Sequence, residues 1–296
     1  MEPRAQLRER GFVVQRGLLN EAEVEHYTGM IEEMSGMSKA TYDASSGGRG
    51  TKGSSWNLTD GVTKTEDFWP LISHEKLVGK VKEVIGDEAK YLQHSDLQFG
   101  FSAVSWHRDS VSRTYGVGPD WDESEELYQN VRVGIYLQSH EESGFALGFI
   151  PGSHSLKPGD TGLSARLREA RFAGQGALAY VSPRLQKMMK SAEWVATEPG
   201  DAIIFDVRIL HSGSYIHGPK LSMFVGYGVP GRHFADLRNY YRFVRPELGY
   251  GTIPDALQDE LRGKGLLAED VPEYSEIPDA WTPMPIMKRI LERRLG

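Results

Sequence analysis

Short apolar segments bounded by glycine or proline fill the middle of this 296-residue chain, and they constrain its fold more than any other feature. The clearest segment, residues 131–138, reads VRVGIYLQ, and residues 145–150 stop at a Pro-Gly pair. Runs of β-branched and aromatic residues between turn residues are typical of strands. A long series of such runs predicts a double-sheet jelly roll. Further strands are predicted at residues 177–181, 194–198, 202–205 and 221–227.

The first third of the chain is helical in pattern. Residues 21–34 carry an apolar stripe that begins after Asn20, a suitable N-cap, and residues 68–85 show a second stripe. Residues 44–55 are rich in glycine and serine, which predicts a loop. The expected fold class is therefore mostly β with supporting helices, a double-stranded β-helix, that is, a jelly roll with a cupin-like barrel.

We expect a single domain, because 296 residues suit one barrel of this kind. A helical N-terminal part covers residues 1–89, the jelly-roll core covers residues 90–229, and a C-terminal extension covers residues 230–296. The extension closes with a basic helix at residues 284–295. The apolar side of that helix could dock on the barrel or serve a homodimer.

Composition excludes several classes of site. The chain has no cysteine, so disulfides, thiolate catalysis, zinc held by cysteine and iron–sulfur clusters are ruled out. A metal would have to be held by histidine and carboxylate. The net charge is -7 without any block of lysine and arginine, which disfavours nucleic-acid binding. There is no apolar run of about 18 residues for a membrane span, and the N-terminus lacks a signal-peptide pattern. We therefore expect a soluble, cytoplasmic protein.

The segment His107-Arg108-Asp109, followed much later by His211, predicts a metal site. Alternate residues of an extended segment point to the same side, so His107 and Asp109 can bind the same metal ion. His211 follows a predicted strand. Two imidazoles and one carboxylate can occupy one face of Fe(II) and leave the other positions open. The alternative is a His–Asp hydrogen bond with an unrelated surface histidine. The flanking Trp106 and the strand context favour the metal.

Four stretches of the chain resemble the phytanoyl-CoA dioxygenase (PhyH)-like branch of the Fe(II)/2-oxoglutarate oxygenases. Residues 8–19 are similar to its opening helix and strand, and residues 105–109, SWHRD, to its metal segment. Residues 144–154 contain its Pro-Gly-Ser-His turn, and residues 199–213 resemble the strand that presents its distal histidine. Together the stretches span roughly residues 5–228, and their order is more specific than any one of them.

The resemblance implies a jelly-roll barrel that uses Fe(II), 2-oxoglutarate and O2 and releases succinate and CO2. It implies His107, Asp109 and His211 as the metal ligands. Such enzymes pair the far carboxylate of 2-oxoglutarate with a basic residue, usually arginine, shortly after the distal histidine. Here that place holds a lysine, which is a point charge rather than a planar fork. The candidates for this anchor are Lys220, Arg132 and Arg208, in that order.

Three of these assignments stay open on the sequence. Lys220 could instead be a solvated lysine beside a turn, and Arg208 suits a structural partner of Asp206 or Asp201. Gln93 and Gln98 lie on the strand before the metal segment, where some relatives place co-substrate contacts, but the alternating pattern allows either face. His154 is interpreted as a hydrogen-bonding residue of its turn and His217 as a loop residue.

The segment of residues 110–130, here called the cover segment, follows the metal pair and is expected to lie over the barrel mouth. Arg113, Tyr115 and Trp121 are its candidate substrate contacts. The alternative is a solvated acidic loop. Its acidic and aromatic character favours a neutral or cationic, partly apolar small molecule from specialised metabolism. The chain has no cluster of lysine and arginine for the phosphates of coenzyme A.

The predicted function is that of a hydroxylase-type dioxygenase. Relatives that transfer halide place alanine or glycine where this chain has Asp109, so its carboxylate favours hydroxylation. Desaturation, ring formation and epoxidation stay open, because the triad is common to all of them. Two other classes are weighed against this one: a cupin-like metalloprotein that does not use 2-oxoglutarate, and a non-catalytic protein that binds a small molecule.

Overall fold

The computed structural model describes residues 1–43, 55–180 and 191–281. Most helices precede the central strands or follow the last strand, and helices account for more of the described residues than strands. The strands are β1 (Phe12–Gln15), β2 (Trp56–Leu58), β3 (Lys90–Gln93), β4 (Leu97–Phe99), β5 (Asn130–Tyr136), β6 (Ala146–Phe149), β7 (Glu193–Ala196), β8 (Ala202–Asp206), β9 (His211–Gly213) and β10 (Leu221–Gly228). The helices are α1 (Pro3–Arg10), α2 (Glu21–Ser35), α3 (Gly61–Lys64), α4 (Trp69–Ile72), α5 (Glu75–Ile85), α6 (His140–Ser143), α7 (Leu163–Leu178), α8 (Arg232–Val244) and α9 (Asp255–Gly263).

Two antiparallel sheets form the barrel. The larger sheet has the order β1-β8-β5-β10-β4-β2, with β3 also paired to β10, and the smaller sheet has the order β7-β6-β9. Strand β10 is the centre of the larger sheet, since it pairs with β5 along one edge and with β4 and then β3 along the other. The predicted double-sheet jelly roll with supporting helices is confirmed.

The central strands β5, β8 and β10 of the larger sheet are buried on both faces. Their alternating side chains contribute to two separate parts of the core. On β8, Ile203 and Phe205 point into the space between the two sheets, where Phe12 stacks on Phe149 at 4.3 Å between ring centroids. The intervening Ile204 belongs to the core on the other face, which α2 and α5 cover. Period-two alternation of this kind is what a strand between two layers requires. The functional site lies within the sandwich formed by the two sheets.

Most predicted elements are present, with two corrections. The strand predicted at residues 177–181 is wrong over its described part, because residues 177 and 178 are the last turn of α7. In α7, Gly176 packs so closely on Trp106 that a Cβ there would lie 2.9 Å from the indole. The helix predicted at residues 68–85 is broken into α4 and α5 by His74, whose side chain accepts a hydrogen bond from the Leu77 amide and caps α5.

Other predictions agree or fall outside the described residues. Helix α2 begins after Asn20 as predicted, and Glu23 completes a reciprocal capping box. The basic helix at residues 284–295 and nearly all of the loop at residues 44–55 lie outside the described residues. Within the described ranges, no helix has the length and apolar character of a membrane span.

A close backbone contact at Gly226 shapes the chain that leads to the site. The register of β10 against β3 shifts after Gly226, and the opposing residues Gln93 and His94 have φ values of +67° and +54°. Residues other than glycine rarely adopt this left-handed backbone conformation, and they keep it only where the surrounding contacts hold it in place. It turns the chain between β3 and β4 so that the side chain of His94 reaches the cavity described below.

We expect Gly226→Ala to destabilise the fold, because a Cβ at this position would lie 2.1 Å from the carbonyl oxygen of Gln93. Overpacking against backbone typically costs about 1–3 kcal/mol or more. Gly174→Ala is the control, since nothing lies within 4 Å of its Cβ position in α7, and an alanine there should stabilise by roughly 0.5–1 kcal/mol. Urea unfolding measures both free energies. Equal stability of the two variants would contradict the close contact at Gly226.

Candidate metal centre

The backbones of His107 and His211 are paired, although the two residues lie roughly a hundred positions apart. Each amide donates to the other residue's carbonyl at 3.0 Å, which forms an isolated antiparallel bridge beside the smaller sheet. Side chains of directly paired residues lie on the same face, and the ring centroids are 4.3 Å apart. The main chain thereby holds the two imidazoles side by side.

Hydrogen bonds to the backbone fix the orientation of both rings. The Nδ1 atom of His107 lies 2.6 Å from the Ser105 carbonyl oxygen, and Nδ1 of His211 lies 2.9 Å from the Ile209 carbonyl oxygen. A carbonyl can only accept, so Nδ1 is the donor in each ring, and Nε2 is the ring nitrogen that faces the other candidate ligands. Burial, followed by the charge of His107, lowers the pKa of His211 to about 3. The ring is therefore neutral, as a metal ligand must be.

Asp109 completes the cluster. Its amide donates to the Val207 carbonyl at 2.8 Å, and its carboxylate oxygens lie 3.6 Å from Nε2 of His107 and 3.7 Å from Nε2 of His211. One ligand atom from each of the three residues lies within 4.8 Å of the others. In the part of the chain that the structure describes, this is the one such group of histidine, aspartate and glutamate. The structure brings the three predicted residues together.

Arg132, the second candidate for the co-substrate anchor, is held by two carboxylates. Its guanidinium donates to Asp109 Oδ2 at 2.9 Å and to Asp96 Oδ2 at 2.6 Å, and it lies 4.3 Å from the centre of the Phe224 ring. Burial alone would raise the pKa of Asp109, but the charge of Arg132 outweighs it and holds that pKa well below its usual value. Arg132 thus keeps the carboxylate ionised and in place.

Lys220, the first candidate, is buried in the same cavity. Its ammonium donates to Gln98 Oε1 at 3.0 Å and to Ser222 Oγ at 2.8 Å, and it lies 4.7 Å from the centre of the Phe145 ring. No carboxylate of the described residues pairs with it. Burial, helped by the charge of Arg132, lowers the pKa of Lys220 to about 7. The side chain is only 2% exposed, so the interpretation as a solvated lysine beside a turn is wrong.

A cavity of about 390 Å³ connects these groups. His107, His211, Arg132, Lys220 and Gln98 line it, and apolar side chains close its walls. The apolar lining residues are Phe101, Phe145, Leu147, Phe205 and Phe224, and the further polar and aromatic ones are Asn57, Thr59, His94, Asp96, Tyr241, Arg245 and Tyr250.

The remaining predicted site residues lie away from this cavity. The Gln93 side chain donates to Asp60 Oδ2 at 3.1 Å instead of facing the cavity. Arg208 forms an ion pair with Asp206 at 2.8 Å, as the structural alternative predicted. His154 contacts the Arg8 carbonyl oxygen at 3.1 Å, in agreement with its predicted role in the turn.

The cover segment does not line the cavity. Tyr115 donates to Asp160 at 2.7 Å and packs edge-on against Trp121 in a separate apolar cluster. Arg113 is buried against Tyr240, to whose hydroxyl it donates at 3.3 Å. The expectation that these three residues face the barrel mouth therefore has no support in the geometry. The rings of Tyr115 and Trp121 pack in an apolar cluster with Phe172.

Sequence reasoning missed two groups of lining residues. His94 and Asp96 lie on the turn before β4, and their signal was an alternating His-x-Asp pattern like that of the metal segment. Tyr241 and Arg245 lie four residues apart at the end of α8, a spacing that places two side chains on one face of a helix. These two lie beyond the part of the chain that resembled a known family, so no motif pointed to them.

Comparison with known proteins gives a family and a fold. The family model "Phytanoyl-CoA dioxygenase (PhyH)" matches residues 7–222. The structure of HygX from Streptomyces hygroscopicus with nickel and 2-oxoglutarate bound has a TM-score of 0.51 at 16% identity, covering 76% of this chain and 85% of that one. The non-heme alpha ketoglutarate dependent carbocyclase SnoK from nogalamycin biosynthesis has a TM-score of 0.50 at 15% identity, covering 77% and 83%. At these identities the likeness shows a shared fold. No curated protein matches the chain.

The depressed pKa of Lys220 should appear in the pH dependence of stability. The unfolded chain binds a proton at this residue up to its ordinary pKa of 10.5, whereas the folded chain releases it near 7. Stability therefore rises with pH between these values, by up to about 1.4 kcal/mol per pH unit. Relative to Lys220→Met, the wild type should gain about 2 kcal/mol between pH 7.5 and 9.0. Urea unfolding of both proteins measures the difference. A difference in stability that does not change with pH would contradict the lowered pKa of Lys220.

Proposed function

The chain belongs to the phytanoyl-CoA dioxygenase (PhyH) family, and on this premise we propose that it is an Fe(II)- and 2-oxoglutarate-dependent oxygenase of a small organic molecule. One observation carries the proposal. The cavity that receives Nε2 of His107 and His211 also holds the ammonium of Lys220, which has no carboxylate partner among the described residues. A metal triad and a buried cation in one cavity are what a chelating dianion needs.

The donor set fits Fe(II). Two neutral imidazoles and one carboxylate are the ligands of non-haem Fe(II) sites that keep open positions, and His107, Asp109 and His211 would hold the ion. The hydrogen bonds of both Nδ1 atoms to backbone carbonyls are the outer contacts that orient such ligands. The chain has no cysteine, so no thiolate competes for a softer metal.

Lys220 fits the far carboxylate of 2-oxoglutarate. An ammonium buried between the Phe145 and Phe224 rings has lost much of its hydration, so an anion would regain the missing electrostatic stabilisation. Gln98 and Ser222 already accept from Lys220 and would fix its direction. Arg132 is engaged by Asp96 and Asp109, so it serves here as a positioning residue for the metal ligand.

Bound Fe(II) and 2-oxoglutarate, together with O2, supply the oxidising power, with succinate and CO2 as coproducts. The protein orients the reactants and excludes water by means of the apolar walls at Phe145, Leu147 and Phe205. Because Asp109 keeps its place in the triad, hydroxylation of a C–H bond is the reaction we propose. The related fold of a carbocyclase shows that one scaffold can serve another outcome, so product analysis has to decide.

The proposed metal site can be tested by anaerobic titration of the apoprotein with Fe(II) and then with 2-oxoglutarate. We expect the weak visible absorption band of the chelate in the wild type. His211→Ala should lose the band, because one of two imidazole ligands is removed. His217→Ala is the matched control, since this exposed histidine of the following loop is not part of the cluster, and it should keep the band. No band in folded wild-type protein at saturating ligand would refute the proposed function.

The role of Lys220 can be tested with the same band. Lys220→Met should weaken 2-oxoglutarate binding by about 10–100-fold, which corresponds to the loss of a charge-assisted hydrogen bond. Lys220→Arg should still bind 2-oxoglutarate. The wild-type affinity should fall as pH rises above 7, because the pKa of about 7 leaves less of the ammonium form. The Lys220→Arg variant should show no such fall. Unchanged affinity in Lys220→Met would exclude Lys220 as the anchor.

A further inference from the structure

The chain that follows β10 forms one wall of the cavity, although it lies beyond the matched residues 7–222. Helix α8 contributes Tyr241 near its end, and Arg245 and Tyr250 follow. The Tyr241 hydroxyl donates to the backbone carbonyl of Asp109 at 2.9 Å, so this wall is attached directly to the metal segment. The sequence assigned no role to the extension.

The aromatic part of the wall offers ring surfaces rather than hydroxyls. The Tyr241 ring stacks on His94 with centroids 3.8 Å apart, and the Tyr250 ring lies 5.5 Å from Tyr241. The Tyr250 hydroxyl donates to Asp96 Oδ1 at 2.9 Å. Since both hydroxyls already have acceptors, the rings present an apolar surface next to the metal ligands.

Arg245 lies one helical turn beyond Tyr241. Its amide still donates to the Tyr241 carbonyl at 2.9 Å, which places it about 6 Å further along the helix axis. Its guanidinium donates to Thr59 Oγ1 at 3.1 Å, and it also lines the cavity. Among the described side chains no carboxylate pairs with Arg245. The guanidinium is half-buried at the cavity, so it is available to an anionic group of a bound molecule.

A row of hydrogen bonds separates Arg245 from the proposed co-substrate anchor. Lys220 donates to Gln98, and the Gln98 amide donates to Asn57 Oδ1 at 3.0 Å. The Asn57 amide in turn donates to Thr59 Oγ1 at 3.2 Å, which also accepts from Arg245. The two cations thus mark the two ends of one polar wall, so each can bind a different anionic group.

The charges of the site leave Arg245 without a counterpart. With Fe(II) and 2-oxoglutarate bound, the negative charges are those of Asp96, Asp109 and the dianion. The charges of Fe(II), Arg132 and a protonated Lys220 balance them. Among the described charged side chains that line the cavity, Arg245 is then the one without a negative counterpart.

From this arrangement, and resting on the proposed function, we propose that the substrate carries an anionic group, a carboxylate or a phosphate, which Arg245 and Thr59 bind. A guanidinium offers two parallel donors to either group. The apolar body of the substrate packs on the rings of Tyr241 and Tyr250, with the carbon to be oxidised next to the triad. The cavity of about 390 Å³ also receives the co-substrate, which favours a small acid. The cover segment, the basis for expecting a neutral or cationic substrate, does not line this cavity.

The test uses the full chain loaded anaerobically with Fe(II) and 2-oxoglutarate, and it measures binding by calorimetry. The probes are 3-phenylpropionate, phenethyl phosphate and the neutral 3-phenylpropionamide. We expect at least one anion to bind at least tenfold more tightly than the amide, and the tighter of the two anions identifies the chemistry. Arg245→Met should remove the preference, and Arg245→Lys should restore part of it. Arg242→Met is the control, because Arg242 pairs with Glu273 and does not line the cavity.

Three results would overturn the inference. The first is an amide that binds as tightly as both anions, and the second is a preference that persists in Arg245→Met. The third is loss of the 2-oxoglutarate absorption band in Arg245→Met, which would make Arg245 a co-substrate residue and leave the proposed function standing. If the wild type forms no band, the proposed function fails instead. The anion preference and its loss in Arg245→Met, measured on metal-free protein, then decide the inference separately.

Discussion

The main-chain pairing of His107 with His211 is the interaction on which the site depends. It belongs to a run in which the Gly213 amide donates to the Ala103 carbonyl, and the Asp109 amide donates to the Val207 carbonyl. Backbone hydrogen bonds therefore place the main chain of all three candidate ligands, and Arg132 holds the Asp109 carboxylate. Closing a loop of roughly a hundred residues costs conformational entropy, which the paired sheets around it offset by burying apolar side chains. The side chains need only adopt rotamers that point inward.

The charges around this pairing are arranged for ligands that the protein itself does not contain. Arg132 lies between Asp96 and Asp109, and such buried groups are stable only when they are paired and hydrogen-bonded. The two carboxylates exceed the one guanidinium, so the triad favours a cation. Lys220 has the opposite character, since its depressed pKa records the cost of burying an ammonium without a carboxylate. The cavity thus has one end, at the triad, that favours a bound cation, and another end, at Lys220, that favours a bound anion.

His107 and Asp109 could be predicted as a pair because residues two positions apart on an extended segment lie on one face. Periodicity does not place His211, whose backbone pairing with His107 is evident only in the structure. Lys220 could be placed only by resemblance, and its burial became evident only in the structure. Tyr115 and Trp121 could not be assigned from the sequence, since aromatic residues in a Gly- and Pro-rich segment serve a core as readily as a binding site. Helix α7 was missed because few of its residues are buried, and those are widely spaced: Ala165, Phe172 and Gly176.

The candidate metal site and the cavity wall formed by the chain after β10 come from different parts of the sequence, yet hydrogen bonds join them. Residues within the family match supply the triad and Lys220, while the segment after β10 supplies Tyr241, Arg245 and Tyr250. Each tyrosine hydroxyl donates to the metal segment or to Asp96, the partner of Arg132. A change in Arg245 can therefore alter what the cavity accepts without touching the triad. A change in Tyr241 would also affect the triad, because the Tyr241 hydroxyl donates to the Asp109 carbonyl and supports the position of that ligand.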